Sequence, residues 1–495
     1  MTNRLFCLLA LALLWTGGTA LADTPLQADT PPRLVVVVTI DQLRSDCLQR
    51  FAPLFREKGF RRLMAHGQVF DRGCYPFRPL DRASAIAAVA SGTTPYYNSI
   101  VGQRWLNRET LRPVACTDDD RHPGLGTTVK ASPAVLAVST LTDELKVATE
   151  GQAVVYAIAA HCDAAVLSGG HAADGAFWID DATGLWCSSQ YYFKKFPQWL
   201  RDHNKTQAPA LKAEGSDPQR HALYKQGWRT NADVTNLAQQ CLVSTAMGTN
   251  DTPDLLCLTY QAADASAVRS LSDLQEAYLR LDHELGRLVD HIERWIGAGK
   301  VLFVVTGTGY CHEAEPDYER YRIPSGTFFI DRTAGLLNMY LGAVWGQEKY
   351  VEATYGNQLF FNRKLLEAKK ISLAEATAKA QELVVMMSGV KQVYTPLQLL
   401  TSHDDYVQTL RNGFHSDRCG DLLIEVAPGW RVLNEDGSQT GLPRTSETQF
   451  PIIFYGTGTS ANVSSETASA DRIAPTLARL LHIRKPNACK AVPLF

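Results

Sequence analysis

The chain has 495 residues, a formal net charge of −2, and apolar and charged fractions of 45% and 20%. That describes a large globular protein with ample core, with no basic excess to hold nucleic acid and no acidic tail. Length alone allows roughly two to four domains.

The first segment reads as a leader. Arg4 precedes an apolar run over 5–15, followed by small residues and Ala20-Leu21-Ala22, which is the pattern of a secretory signal cut after Ala22. The run is too short to span a membrane, and no later uninterrupted apolar stretch reaches about 18 residues. Residues 1–22 are therefore expected to be a signal peptide and 23–32 a linker rich in Pro, Thr and Asp. Export alters the meaning of cysteine. Once Cys7 leaves with the leader, Cys47, Cys74, Cys116, Cys162, Cys187, Cys241, Cys257, Cys311, Cys419 and Cys489 remain. An even set in an oxidising compartment favours structural disulfides over a thiolate metal site, since no CxxC spacing occurs.

Residues 34–40, Leu-Val-Val-Val-Val-Thr-Ile, form an unbroken β-branched run without polar alternation, as a strand covered on both faces does. The run stops at Asp41. Ligands of open α/β sheets bind beyond the carboxyl ends of the strands, so Asp41 is a candidate metal ligand or catalytic group, or else the cap of the next helix. Beyond it, 48–66 reads as one helix and 83–90 as a helix of small residues packed close to the sheet. Further strands are expected at 152–160, 255–260, 301–306, 420–426 and 450–455, and helices at 278–296, 334–344, 373–385 and 473–481. This alternation predicts an α/β fold with a doubly wound, mostly parallel central sheet flanked by helices. With no repeat and no low-complexity divider, 33–495 is read as a single domain carrying inserted cap segments at roughly 104–150, 179–235 and 310–440.

Several motifs then carry a resemblance. Ile40-Asp41-Gln42-Leu43-Arg44, Gly92-Thr93-Thr94-Pro95, Gly175-Ala176-Phe177-Trp178, Tyr278-Leu279-Arg280-Leu281-Asp282 and Leu337-Asn338-Met339-Tyr340-Leu341 occur in that order. Pro428-Gly429-Trp430, Pro451-Ile452-Ile453-Phe454-Tyr455-Gly456 and Ile473-Ala474-Pro475-Thr476-Leu477 follow. Together they resemble the alkaline phosphatase superfamily, specifically the secreted bacterial alkaline phosphatases with a threonine nucleophile, relatives of type I phosphodiesterases and nucleotide pyrophosphatases. The resemblance implies an alkaline-phosphatase-like fold, a bacterial envelope address (periplasmic or secreted), and a site with two zinc ions acting as Lewis acids on a phosphoester.

Carried over position by position, that machinery is largely replaced. The nucleophile position falls on Arg82, whose guanidinium stays protonated and cannot attack. Ser84, two residues on, is a possible substitute. The first zinc's ligands correspond to Asp41 and to Gly307-Thr308, where an Asp-His pair is implied, and the second's to Asp264, Val268 and Thr440. Phosphate-contact positions fall on Gln103, His161 and Asp163. Asp41 and Asp264 are thus remnant metal ligands, too few for two zinc ions that each need about three protein donors. No cofactor is expected; zinc belongs to the alternative of an active, remodelled hydrolase.

A buried carboxylate without a counter-ion costs several kcal/mol, so Arg82 is expected to pair with Asp41 or Asp264. The resulting reading is an exported pseudoenzyme that binds phosphate, sulfate or a phosphoester, or a protein partner, with no nucleic acid and no membrane span. A structural interaction protein with a collapsed cleft is the third possibility. Thr93, Thr94 and His171 read as framework. Cys311-His312 is a conceivable replacement ligand pair, and Asp118-Asp119-Asp120 reads as a solvated turn rather than a cation loop, lacking EF-hand spacing.

Overall fold

The computed structural model describes residues 30–213, 218–264, 270–312, 318–438, 440 and 445–495; the leader and most of the linker lie outside them. The buried run becomes β1 (Leu34–Asp41), every residue of which is buried. It is the fifth strand of a ten-stranded sheet. In chain order the sheet contains β1, β2 (Gln68–Cys74), β3 (Gly124–Leu125), β4 (Val155–Ala159), β5 (Gly175–Ile179), β6 (Trp186–Ser189), β7 (Asp254–Gln261) and β8 (Val301–Gly307). Four cap strands follow: β9 (Val351–Tyr355), β10 (Gln358–Phe361), β11 (Val390–Tyr394) and β12 (Leu422–Val426). The central sheet then resumes with β13 (Phe450–Gly456) and β14 (Asn462–Ser469).

The spatial order is β14-β2-β13-β8-β1-β7-β4-β5-β6-β3. Its middle, β8-β1-β7-β4-β5, is parallel, which explains the continuous apolar runs. β13 joins β8 antiparallel, and β6 joins β5 antiparallel. The fold is thus α/β with a mixed sheet whose parallel centre sets Asp41, Gln261 and Gly307 near the ends of neighbouring strands, Asp41 facing Gln261 and Ile40 facing Gly307 in register.

Among the helices, α1 (Arg82–Ser91), α2 (Cys162–Gly169) and α3 (Leu271–Ile296) flank this sheet. α3 starts earlier than its apolar periodicity suggests, because Ser270 and Asp273 form a reciprocal capping box. The single helix expected over 48–66 is two helices, Ser45–Phe51 and Phe60–His66. Pro53 tightens the chain into a 3-10 turn over Ala52–Leu54. Gly59 then passes so close to Asp282 that a Cβ there would lie 2.1 Å from its Oδ1. Asp282 accepts the Arg56 and Phe60 amide hydrogens at 2.9 and 2.8 Å, fastening the break to α3.

A second core sits in the cap. α4 (Ile330–Trp345) and α5 (Leu373–Val384) cover β9–β12, an antiparallel sheet of order β9-β10-β12-β11, through Ile330, Leu337, Leu341, Ala380 and Val384. Asp421, fully buried, ties the 310–440 segment to the 104–150 segment by accepting from Arg108, and accepts from Arg363 within its own segment. The ten cysteines expected to form disulfides are all free thiols. Eight of them are buried as small apolar side chains, for example Cys257 within β7, and contribute to core packing there. Among the described residues, no helix is long and apolar enough to cross a membrane.

Candidate functional site

The site lies where the sheet's parallel centre ends. β1 delivers Asp41, 2% exposed, and the chain leaves it through Gln42 in a left-handed conformation (φ 60°). Next to it β8 ends at Gly307, and Thr308 donates its hydroxyl to Asp41 Oδ1 at 2.9 Å while accepting the Gln42 amide hydrogen at 3.0 Å. One carboxylate oxygen of Asp41 is therefore engaged by a hydroxyl.

The other faces Arg82, the first residue of α1. Asp81 caps α1: it accepts the Ser84 amide hydrogen and hydroxyl, both at 2.9 Å, and the Ser84 hydroxyl accepts the Asp81 amide hydrogen at 3.1 Å. Asp81 also accepts the Gln103 amide hydrogen through its other oxygen. This box sets the direction in which Arg82 leaves the helix. Its guanidinium grips Asp163 with two parallel bonds, Nε to Oδ2 at 3.0 Å and Nη2 to Oδ1 at 3.1 Å, and reaches Asp41 Oδ2 through Nη1 at 3.4 Å. The three side chains are 12%, 13% and 2% exposed. Burial opposes the guanidinium's charge, but Asp163 and Asp41 more than offset it and hold its pKa above the ordinary value. The Tyr310 phenol, also buried beside Asp41, is pushed well up by that burial and by the carboxylate.

Behind Asp163 stands His161, the N-cap residue of α2. Its Nε2 is 3.3 Å from Gln261 Nε2, and Gln261 donates to the Lys225 carbonyl. Burial, followed by the Arg82 and Lys225 charges, drives the His161 pKa well below the ordinary value, so the ring is neutral. Lys225 is itself paired with Asp181 at 2.6 Å. Each cation of the site already has a carboxylate partner.

Asp264, expected to pair with Arg82 or to share a metal with Asp41, is turned elsewhere. It accepts the Trp228 amide hydrogen at 3.2 Å and lies 3.8 Å from Arg229, with its side chain 41% exposed. Val268 lies outside the described residues, and Thr440 is a buried residue whose carbonyl accepts the Gly356 amide hydrogen at 2.9 Å. Ser84 is fully buried and its hydroxyl is used in the capping box, so it is not presented to a substrate.

Does the donor set fit two zinc ions? Asp41 is held by Arg82 and Thr308, and Asp264 by Arg229 and Trp228. The space around Gly307 is closed too: a Cβ there would meet Phe450 Cβ at 2.8 Å and Leu43 Cβ at 3.1 Å, so an aspartate has no room without a shift. Tyr75, ring against Phe450, donates to the Gly307 carbonyl at 2.8 Å and completes the packing. Among the described residues no group of three or more His, Cys, Asp or Glu side chains has metal-binding geometry. The residues present do not fit the pair of ions.

The remaining candidates fall into supporting roles. His171 bridges Asp143 and the Leu136 carbonyl, at 2.9 and 3.0 Å. Asp119 is taken up by Arg121, His122 and Ser132, Asp120 by Lys130, and Asp118 by the Ala115 amide hydrogen. Thr94 occupies the N-cap position of the short helix Pro95–Asn98 without a side-chain capping bond, and the Thr93 carbonyl accepts from the Asn98 side-chain amide. His312 accompanies Cys311 on a short strand, with its amide hydrogen donated to Gln42 Oε1 at 3.3 Å.

A mixed sheet with helices on its faces and a side-chain cluster at the carboxyl ends of its parallel strands defines an α/β protein with its site at the sheet's strand ends. The chain belongs to the type I phosphodiesterase / nucleotide pyrophosphatase family, whose model matches residues 35–450. It is 26% identical over 528 aligned positions to a protein of Myroides odoratus named calcium-transporting ATPase, covering 94% of both chains. It is 25% identical to alkaline phosphatase PhoV of Synechococcus elongatus, covering 92% of this chain and 91% of the relative. The crystal structure of wild-type alkaline phosphatase PafA superposes with a TM-score of 0.82 at 23% identity, over 94% of this chain and 99% of the other.

Proposed function

We propose that this protein is a non-hydrolysing member of its family, in which an arginine bridge stands where the family resemblance implies a metal-assisted nucleophile. The observation that carries this reading is Arg82 bound to both Asp41 and Asp163. A guanidinium at the attacking position offers no nucleophile, and it consumes the carboxylate at the end of β1. The packing of Phe450 against Gly307 supports the same conclusion independently.

The cleft's ligand, on this reading, is an anion of the phosphate, sulfate or phosphoester class, and it is bound by exchange. Because Arg82 and Lys225 are already paired, an incoming anion displaces Asp163 from Arg82 and takes over its two parallel hydrogen bonds. This makes binding weaker than at an unpaired arginine. A protein partner would use the cleft mouth in the same way, through an acidic or phosphorylated side chain. The leader over 1–22 supports export to the periplasm or beyond.

The second reading, an active phosphomonoesterase or phosphodiesterase, is favoured by the relatives' names as alkaline phosphatases. Turnover of an aryl phosphate monoester and diester, with and without added zinc, separates the two. The first predicts no zinc-dependent turnover in the wild type. Zinc-dependent turnover that disappears in both Asp41→Ala and Ser84→Ala would establish the second.

A further inference from the structure

Residues 472–495 contain Arg472, Arg479, Arg484, Lys485 and Lys490 and no Asp or Glu, in a chain whose net charge is −2. Glu144 offsets one of these charges, accepting from Arg484 at 2.8 Å. Asp471, beside Arg472, is half-buried and accepts the Ser469 hydroxyl at 2.5 Å. The other four cations make no ion pair among the described residues. Three of them gather around the segment 491–493. Lys485 Nζ donates to the Ala491 carbonyl at 3.4 Å, and Arg472 donates Nε and Nη2 to the Val492 and Pro493 carbonyls at 3.0 and 2.7 Å. Lys490 lies over the Tyr97 ring, 4.6 Å from its centre, and donates to its hydroxyl at 2.9 Å. Val492 stands out among them at 63% exposure, and the edge-to-face pair Tyr96 and Tyr97 is also exposed. Arg479 follows Arg472 by roughly two turns, on the same side of the helix Ile473–Leu480.

We infer that this cationic patch seats the protein peripherally on the surface of an anionic lipid bilayer. Its donors favour that partner over an acidic protein or a nucleic acid. Arg472 commits the Nε and Nη2 edge of its guanidinium to backbone carbonyls, so that fork is not free to grip a carboxylate or phosphate in two parallel bonds. Lys485 and Lys490 are point charges on flexible stems. Charge offered without a fixed donor geometry suits a fluid surface of headgroups, where each Lys or Arg raises partition about fivefold. Lys490 covers a face of the Tyr97 ring, which leaves that face closed to a stacking base. The apolar side chain of Val492, set among cations, gains from the boundary between headgroups and acyl chains, and tyrosine rings settle at the same level. Such attachment is reversible and weakens with salt, because the charges lie at the surface.

Co-sedimentation of the full chain with vesicles tests this, comparing pure phosphatidylcholine with phosphatidylcholine containing about one-third phosphatidylglycerol. The readout is the ratio of the two partition coefficients, so that the apolar leader, common to both arms, cancels. At low salt the wild type is expected to favour the anionic vesicles about a hundredfold or more, and the preference should collapse at about 0.5 M salt. Lys485→Gln combined with Lys490→Gln should lower the ratio about 25-fold, with unchanged circular dichroism. Lys194→Gln combined with Lys195→Gln makes the same change in net charge at exposed positions elsewhere and should lower it no more than about twofold. A wild type without preference for the anionic vesicles overturns the inference, whether or not it is retained by heparin or an oligonucleotide. A preference indifferent to the 485/490 pair, or lowered equally by the 194/195 pair, overturns it as well.

Discussion

Arg82 and Asp163 meet in two parallel hydrogen bonds of 3.0 and 3.1 Å, although 81 positions separate them in the chain. By resemblance these are the nucleophile and phosphate-clamp positions of a phosphatase. Here a cation occupies the first and an anion the second, so the polarity of the site is reversed. Bidentate guanidinium–carboxylate geometry is among the stronger hydrogen-bonded pairings in proteins, and lysine could not reproduce it.

Removing the arginine leaves Asp41 and Asp163 buried without a counter-charge. Arg82→Ala is therefore expected to destabilise the fold by about 3–5 kcal/mol in metal-free buffer. Arg82→Ala combined with Asp163→Asn should recover part of that loss, since one uncompensated charge is gone. Denaturant unfolding of the three proteins reads the difference directly. A single variant as stable as the wild type would show that the bridge carries no structural weight.

Acid should weaken the protein through His161. Its folded-state pKa lies well below the ordinary value because of burial and the Arg82 and Lys225 charges. Below about pH 6.5 the unfolded chain binds a proton there that the folded chain refuses. Stability then rises with pH, and each unit of acidification below that point costs about 1.4 kcal/mol until the folded value is reached. His161→Gln should flatten this part of the curve. Urea midpoints at pH 7 and pH 5 for both proteins give the comparison, and equal slopes would mean His161 is not the group responsible.

Gly307 sits in a space filled by Phe450 and Leu43. Overpacking of a close core costs about 1–3 kcal/mol, so Gly307→Ala is expected to fall in that range. An aspartate would add a buried carboxylate to the same clash. Thermal unfolding of the alanine variant checks the packing without changing charge, and a neutral result would show that the space can open.

Much of the fold was legible in the sequence. The apolar runs of β1, β7 and β8, β-branched in β1 and β8 and leucine-rich in β7, announce a covered parallel sheet, because both faces of those strands must avoid water. Helix breaks were harder: the 48–66 stretch keeps helical apolar spacing across Pro53 and Gly59, and only the contact with Asp282 explains where it bends. The site was half legible. The arginine at position 82 and the carboxylate at 41 could be matched, but the arginine's main partner could not. Asp163 looked like the loss of a clamp, and only its distance from Arg82 shows it as the gain of a partner. A charge gained at position 82 and one reversed at position 163 were the available signal. Tyr310, Lys225 and Gln261 carry no motif: strand register sets Gln261 beside Asp41, while Lys225 arrives from the end of the helix Pro218–Lys225 and Tyr310 from the short strand Tyr310–His312.

The central claim is that Arg82 occupies the electrostatic place of metal. It is tested most directly by the zinc content of the full chain, measured by elemental mass spectrometry after equilibration with micromolar zinc and removal of the free ion. The account predicts no zinc held through Asp41, so that Asp41→Ala leaves the zinc content unchanged. Two zinc ions per chain, lost on Asp41→Ala, would contradict it.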